Sequence, residues 1–103
     1  MVKIIAIWKK PEDTEAFEKH YTEIHIPLAK KMPGVRKIEI HRARRALVGG
    51  EDVYAVVELH FDDRQAMRAA LESEAGMATG ADAHKLSNGT IQLIACETEE
   101  VSV

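Results

Sequence analysis

Two groups of side chains in this sequence are of types that could move protons. The first is His25 with Tyr21, in the stretch Tyr21-Thr22-Glu23-Ile24-His25-Ile26-Pro27-Leu28. An imidazole titrates near neutral pH and can act as general base or acid, while a phenol can donate to a developing oxyanion. The second is a set of two histidines and two carboxylates, Glu39, His41, Glu58 and His60. A histidine beside a carboxylate tends to stay protonated. A metal is an alternative occupant of this set, but its spacing matches no metal motif, and polar packing between two copies is the expected role.

The first group must be placed by a helix. Phe17, Tyr21, Ile24, Leu28 and Met32 recur at helical spacing and predict one buried face. His25 then falls about 60° from the middle of that stripe, at its border. Pro27 has no N–H and its ring crowds the carbonyl of Glu23, so the helix is expected to bend or open beside His25. A freed backbone carbonyl there is the expected partner of the imidazole. The plain alternative is a packed or half-exposed histidine with no chemistry.

The rest of the chain reads as the frame for these residues. Val2 to Lys9 alternates as a strand, with Val2, Ile4, Ala6 and Trp8 on one face. Asp13 or Thr14 caps the helix, and Pro33-Gly34 stops it. Val35 to about Arg44 and Asp52 to Phe61 read as two strands joined by a hairpin at Gly49-Gly50. With those glycines at the centre of the turn, Ile38 pairs with Phe61 and Ile40 with Leu59 on one face. Glu39 pairs with His60 and His41 with Glu58 on the other. Asp62 or Asp63 caps a second helix with Ala66, Met67, Ala70 and Leu71 buried, ending near Gly76. Met77 to Leu86 is expected to be a short extra helix or an ordered loop. Asn88-Gly89 is a turn, and Thr90 to Glu97 the last strand. The order β-α-β-β-α-β is the ferredoxin-like unit: an α+β fold with one antiparallel four-stranded sheet and helices on one face. The other face would carry Ile5, Ile7, Tyr54, Val56, Ile94 and Cys96. That is too apolar for water, so a homodimer closing sheet to sheet is expected.

Composition narrows the function. The 103 residues fit one domain, 1–103, with a net charge of −3. That balance argues against nucleic acid and anionic membranes as partners, and Arg42, Arg44 and Arg45 are too few for a basic track. No apolar run approaches a membrane span, and no signal peptide is read at the start. The single cysteine, Cys96, suits a reducing cytoplasm and is expected to be a buried strand residue. No glycine-rich phosphate loop is present, and Ser73, Ser87 and Ser102 lie in no nucleophile motif. His20 and His84 read as surface residues.

The chain resembles the EthD family of dimeric α+β barrel proteins. The likeness rests on Trp8-Lys9-Lys10-Pro11, Phe17-Glu18-Lys19-His20-Tyr21, His25-Ile26-Pro27-Leu28 and Met32-Pro33-Gly34-Val35. It implies a dimeric barrel acting on small, often cyclic or polyketide-like molecules by lyase, isomerase, dehydratase or oxygenase chemistry without a cofactor or metal. It points to His25 as the motif histidine and to Tyr21 as the counterpart of an acid–base tyrosine. From the residues themselves, Trp8, Phe17, Leu28, Ile38, Ile40 and Leu59 are expected to line an apolar site around this pair. The rival is a filled core. A non-catalytic small-molecule binding or accessory protein of a degradation pathway would use the same pocket.

Overall fold

The alternation of Val2–Lys9 (β1) buries Val2, Ile4, Ala6 and Trp8 and leaves Lys3, Ile5 and Ile7 half-buried on the opposite face. The computed structural model describes residues 1–103. β1 lies between β3 (Val53–Phe61) and β4 (Gln92–Glu97), and β3 lies between β1 and β2 (Lys37–Arg42). Every pairing is antiparallel, in the order β2-β3-β1-β4. One layer of helices covers one face: α1 (Thr14–His20), a π-helical turn (Tyr21–His25), α2 (Ile26–Lys30), α3 (Arg64–Glu72) and α4 (Glu74–Leu86). The molecule is a slab of 39 × 36 × 19 Å, thin because the second sheet face carries no layer of its own.

Short polar side chains set the helix starts. Asp13 accepts from the Ala16 N–H at 3.1 Å and Asp63 from the Ala66 N–H at 2.8 Å. The second helical region does not run to Gly76. It breaks at Ser73, whose extended backbone ends α3 and whose hydroxyl accepts from the Gly76 N–H at 3.0 Å to start α4. Gly76 lies in the first turn of α4. A Cβ there would stand 2.0 Å from the Ala70 carbonyl oxygen, so glycine is what lets the two helices meet. The stretch Met77 to Leu86, expected to be a short helix or an ordered loop, is helical and belongs to a 13-residue helix that starts at Glu74. The strands β2 and β4 are shorter than expected, and residues 98–103 add no strand.

The hairpin register differs from the expected one by two residues. Ile38 pairs with Leu59, Glu39 with Glu58, Ile40 with Val57 and His41 with Val56. The glycines are not the centre of a tight turn. They sit inside a loop that closes with the Val53 N–H on the Gly50 carbonyl oxygen at 3.0 Å. A shift of two keeps every side chain on its face. The expected polar partners therefore still meet, now diagonally: His60 Nε2 to Glu39 and His41 Nε2 to Glu58, both at 2.9 Å. The irregularity expected near Arg44 lies between Trp8 and Lys9, where β3 carries an extra residue, Tyr54, opposite β1. Tyr54 accordingly leaves the outer face. Its ring packs on Phe17 with centroids 5.4 Å apart and its hydroxyl donates to Glu18, both on α1. Cys96 is half-exposed on the outer face, not buried.

Candidate functional site

The π-turn decides which residues reach the core. The Ile26 N–H bonds to the Tyr21 carbonyl, one residue further back than in an α-helix. The opening expected beside Pro27 takes this form. Because the turn is wider, four residues come closer to one full revolution, and the buried stripe becomes Phe17, Tyr21, His25, Ala29 and Met32. Ile24, expected on that stripe, is 47% exposed, and His25, expected at its border, is 6% exposed. Phe17, Tyr21 and His25 stack in succession, at 5.4 and 5.3 Å between neighbouring rings. Trp8 stands edge-on to all three, at 5.2 Å from the imidazole.

His25 bonds to a side chain from α4, not to a freed backbone carbonyl. Its Nδ1 lies 2.9 Å from Asp82 Oδ2, and His20 Nε2 lies 2.8 Å from Oδ1 of the same carboxyl group. In a straight α-helix, residues five apart point about 140° away from each other. The π-turn reduces that divergence and lets both imidazoles reach one carboxylate. His20 is thus part-buried in this cluster, and only His84 is exposed as expected. Asp82 comes from the small-residue helix α4, whose buried positions are Gly76, Thr79 and Ala83. Those steps of three and four were the readable signal for a helix there. No local pattern connects Asp82 to a histidine 57 residues away.

Burial works to raise the pKa of Asp82, but the hydrogen bonds from His20 and His25 outweigh it and hold the carboxyl below its ordinary range. An ionised carboxylate only accepts, so His25 carries its proton on Nδ1 and presents a lone pair at Nε2. Burial also pushes the His25 pKa down, against the opposing pull of Asp82, so the ring is neutral at pH 7. Burial pushes Tyr21 up to about 12, which keeps its hydroxyl protonated and able to donate.

Beneath the helices lies a cavity of about 60 Å³. Of the residues expected to form a site, Trp8, Tyr21, His25, Ile38 and Leu59 border it. Phe17, Leu28 and Ile40 do not: Phe17 stands behind Tyr21 in the ring stack, and Ile40 faces a surface groove beside α2. The wall from α4, with Thr79, Gly80 and Ala83, was not expected. Leu71 and Leu93, 42% and 52% exposed, form its rim. Trp8 Nε1 is the chain's one fully buried side-chain polar atom without a partner. His25 Nε2 makes no bond within the chain either, so it retains accessible surface.

The outer-face cluster is a separate constellation. Glu39, Glu58 and His60 place ligand-type atoms within 4.8 Å of one another. The Lys3 ammonium stands 2.8 Å from Glu58, so this cluster already has a cation of its own. That hydrogen bond, with the one from His41, holds Glu58 below its ordinary pKa against the effect of burial.

Fold and cavity together define a ferredoxin-like α+β domain with an apolar, histidine-bearing pocket between sheet and helices. Residues 9–90 match the EthD domain model. The chain belongs to the EthD family. An EthD family protein from Bacillus halodurans C-125 is 34% identical, superposes with a TM-score of 0.90, and is covered over 99% of its length by 96% of this chain. SnoaB, a cofactor-independent oxygenase from Streptomyces nogalater, shares the fold at 18% identity and a TM-score of 0.70, over 97% of this chain and 94% of its own. A dimeric ferredoxin-like protein of unknown function from Jannaschia sp. CCS1 does so at 18% identity and a TM-score of 0.70, over 95% and 100%. No helix is long and apolar enough to cross a membrane.

Proposed function

We propose that this chain is a cytoplasmic homodimer that performs cofactor-free acid–base chemistry on a small, largely apolar organic molecule, of the lyase, isomerase, dehydratase or oxygenase type. The observation that carries this reading is the His25–Asp82 hydrogen bond at the wall of an apolar cavity. It leaves Nε2 as a free base in a site poor in competing polar groups. Asp82 fixes the tautomer and stabilises the imidazolium formed when Nε2 takes a proton, and Tyr21, stacked on the imidazole with ring centroids 5.3 Å apart, is the hydroxyl donor of this reading. The description of SnoaB as a cofactor-independent oxygenase supports chemistry of this kind on this fold, without fixing the reaction here.

The test is a thermal-shift screen of small apolar molecules, with turnover of each hit followed for wild type and His25→Ala. A general base predicts loss of turnover by roughly 100-fold or more. Hits that bind wild type and variant alike and are never converted would replace this reading with a non-catalytic binding protein.

A further inference from the structure

Two imidazoles share one carboxylate in this fold, and they look onto different spaces. His25, with 8% of its side chain exposed, lines the apolar cavity and holds Asp82 Oδ2. His20, 36% exposed, holds Oδ1 and lines a polar groove between the end of β1 and the end of α4. The cluster thus runs from cavity to groove through Asp82. An ionised carboxylate only accepts, so a neutral His20 donates from Nε2, as His25 does from Nδ1. The remaining His20 nitrogen, Nδ1, makes no bond within the chain and retains accessible surface. With both rings neutral the cluster is a monoanion. A first proton neutralises it, and a second leaves a cation with His25 at its buried end. The charged groups facing His20 are Lys9 and Lys10 from the end of β1, Glu12 and Asp13 ahead of α1, and Asp82 from α4. Lys9 is itself paired with Asp52 at 3.4 Å, and of these groups only Asp82 bonds to His20. Beside His25 the titratable groups are Tyr21, Asp82 and, across the carboxylate, His20; the other residues lining the cavity are uncharged.

We propose that His20 keeps His25 in its free-base form: it takes the first proton to reach the cluster, on Nδ1 from water in the groove, and through Asp82 holds a second proton off His25. The inference rests on the functional reading above and adds a positioning residue to its site. A general base must be unprotonated before it can act. A charge on His20 opposes a second one at His25 across the same carboxylate, and this repulsion adds to the burial that already lowers the His25 pKa.

The experiment follows the imidazole nitrogen resonances of ¹⁵N-labelled protein against pH, in wild type and in His20→Gln. The glutamine amide can donate to Asp82 in place of Nε2, so the variant keeps the hydrogen bond and removes the charge. In wild type, His20 should take its proton first, and the His25 nitrogens should register that step before their own. In His20→Gln, His25 should bind its proton about tenfold more tightly, moving its midpoint to higher pH, while the melting temperature at pH 8 is unchanged. Any turnover should lose its acid limb at correspondingly higher pH. A His20 that only anchors the carboxylate would leave the His25 midpoint in place. That result, or a His25 protonated before His20, overturns the inference. Should the variant fail to fold, the wild-type order of titration decides. If His25→Ala abolishes turnover while the His25 midpoint ignores His20→Gln, the acid–base reading stands and this inference falls. If the midpoint moves but His25→Ala turns over like wild type, the coupling is upheld and the acid–base reading falls.

Discussion

His25 and Asp82 tie the site to acid stability. The His25 pKa is lowered from 6.5. The unfolded chain therefore binds a proton before the folded one does, and the contribution of the neutral ring, complete above about pH 6.5, is lost as pH falls through the folded value. Asp82 is lowered from 3.8, so its contribution is complete above about pH 3.8 and is lost below that. Both act in the same direction. The melting temperature should drop from pH 7 to pH 5, and His25→Gln should show a smaller drop over that interval. A variant with the same pH profile as wild type would separate the histidine from acid unfolding. Asp82→Asn keeps one accepting oxygen but turns the other into an NH₂ donor, so one of the two imidazole hydrogen bonds is lost, and it should cost about 1–3 kcal/mol by chemical denaturation. It also frees His25 to take the other tautomer, so any turnover should fall by more than the loss of folded protein explains. Equal losses would reduce Asp82 to a packing residue.

At the scale of elements, the π-turn and the α3–α4 junction carry the differences between expectation and structure. The helix with His25 was readable from its apolar spacing, its Asp13 cap and its Pro33-Gly34 stop. Its exact face was not, because one widened turn rotates everything beyond Tyr21 and a periodicity argument assumes regular turns. Except at Tyr54, where the bulge intervenes, the faces of β2 and β3 were readable for the same reason that their register was not. Alternation fixes the face of a side chain but is unchanged by a slip of two, and the loop at Gly49-Gly50 gave no tight turn to pin the pairing. Gly76 reads as a stop signal in sequence but serves close packing in the fold. Two substitutions test these points. Ile24→Lys should change stability by no more than about 0.5 kcal/mol, because the π-turn leaves it exposed; on the regular stripe it would be a core defect. Gly76→Ala, otherwise favoured inside a helix, should destabilise by about 1–3 kcal/mol as its Cβ drives α4 off the Ala70 carbonyl. Denaturant unfolding of both variants measures the two predictions together, and a stabilised Gly76→Ala would refute the close approach.

At the scale of the whole molecule, the uncovered sheet face is the feature that a single copy cannot account for. On it Ile5 faces Ile94 across β1–β4, and Ile7 faces Val56 across β1–β3, making one contiguous apolar patch. Lys3, Glu58, His41, His60 and Glu39 flank it with polar groups that already bond among themselves, so the patch can be covered without stranding them. A second copy of the same face supplies equal apolar area and meets the pattern by two-fold symmetry. The face therefore predicts a homodimer at micromolar concentration, and sedimentation should report about twice 11.5 kDa. Val56→Asp places a carboxylate at the centre of the patch, where removal from water without a partner costs several kcal/mol. The side chain points away from the helices, so the cavity, His25 and Asp82 are untouched. The variant should sediment as a folded monomer of about 11.5 kDa with its tryptophan environment retained. A wild type that sediments as a monomer would sink the barrel. A Val56→Asp variant that stays dimeric would move the interface off this face.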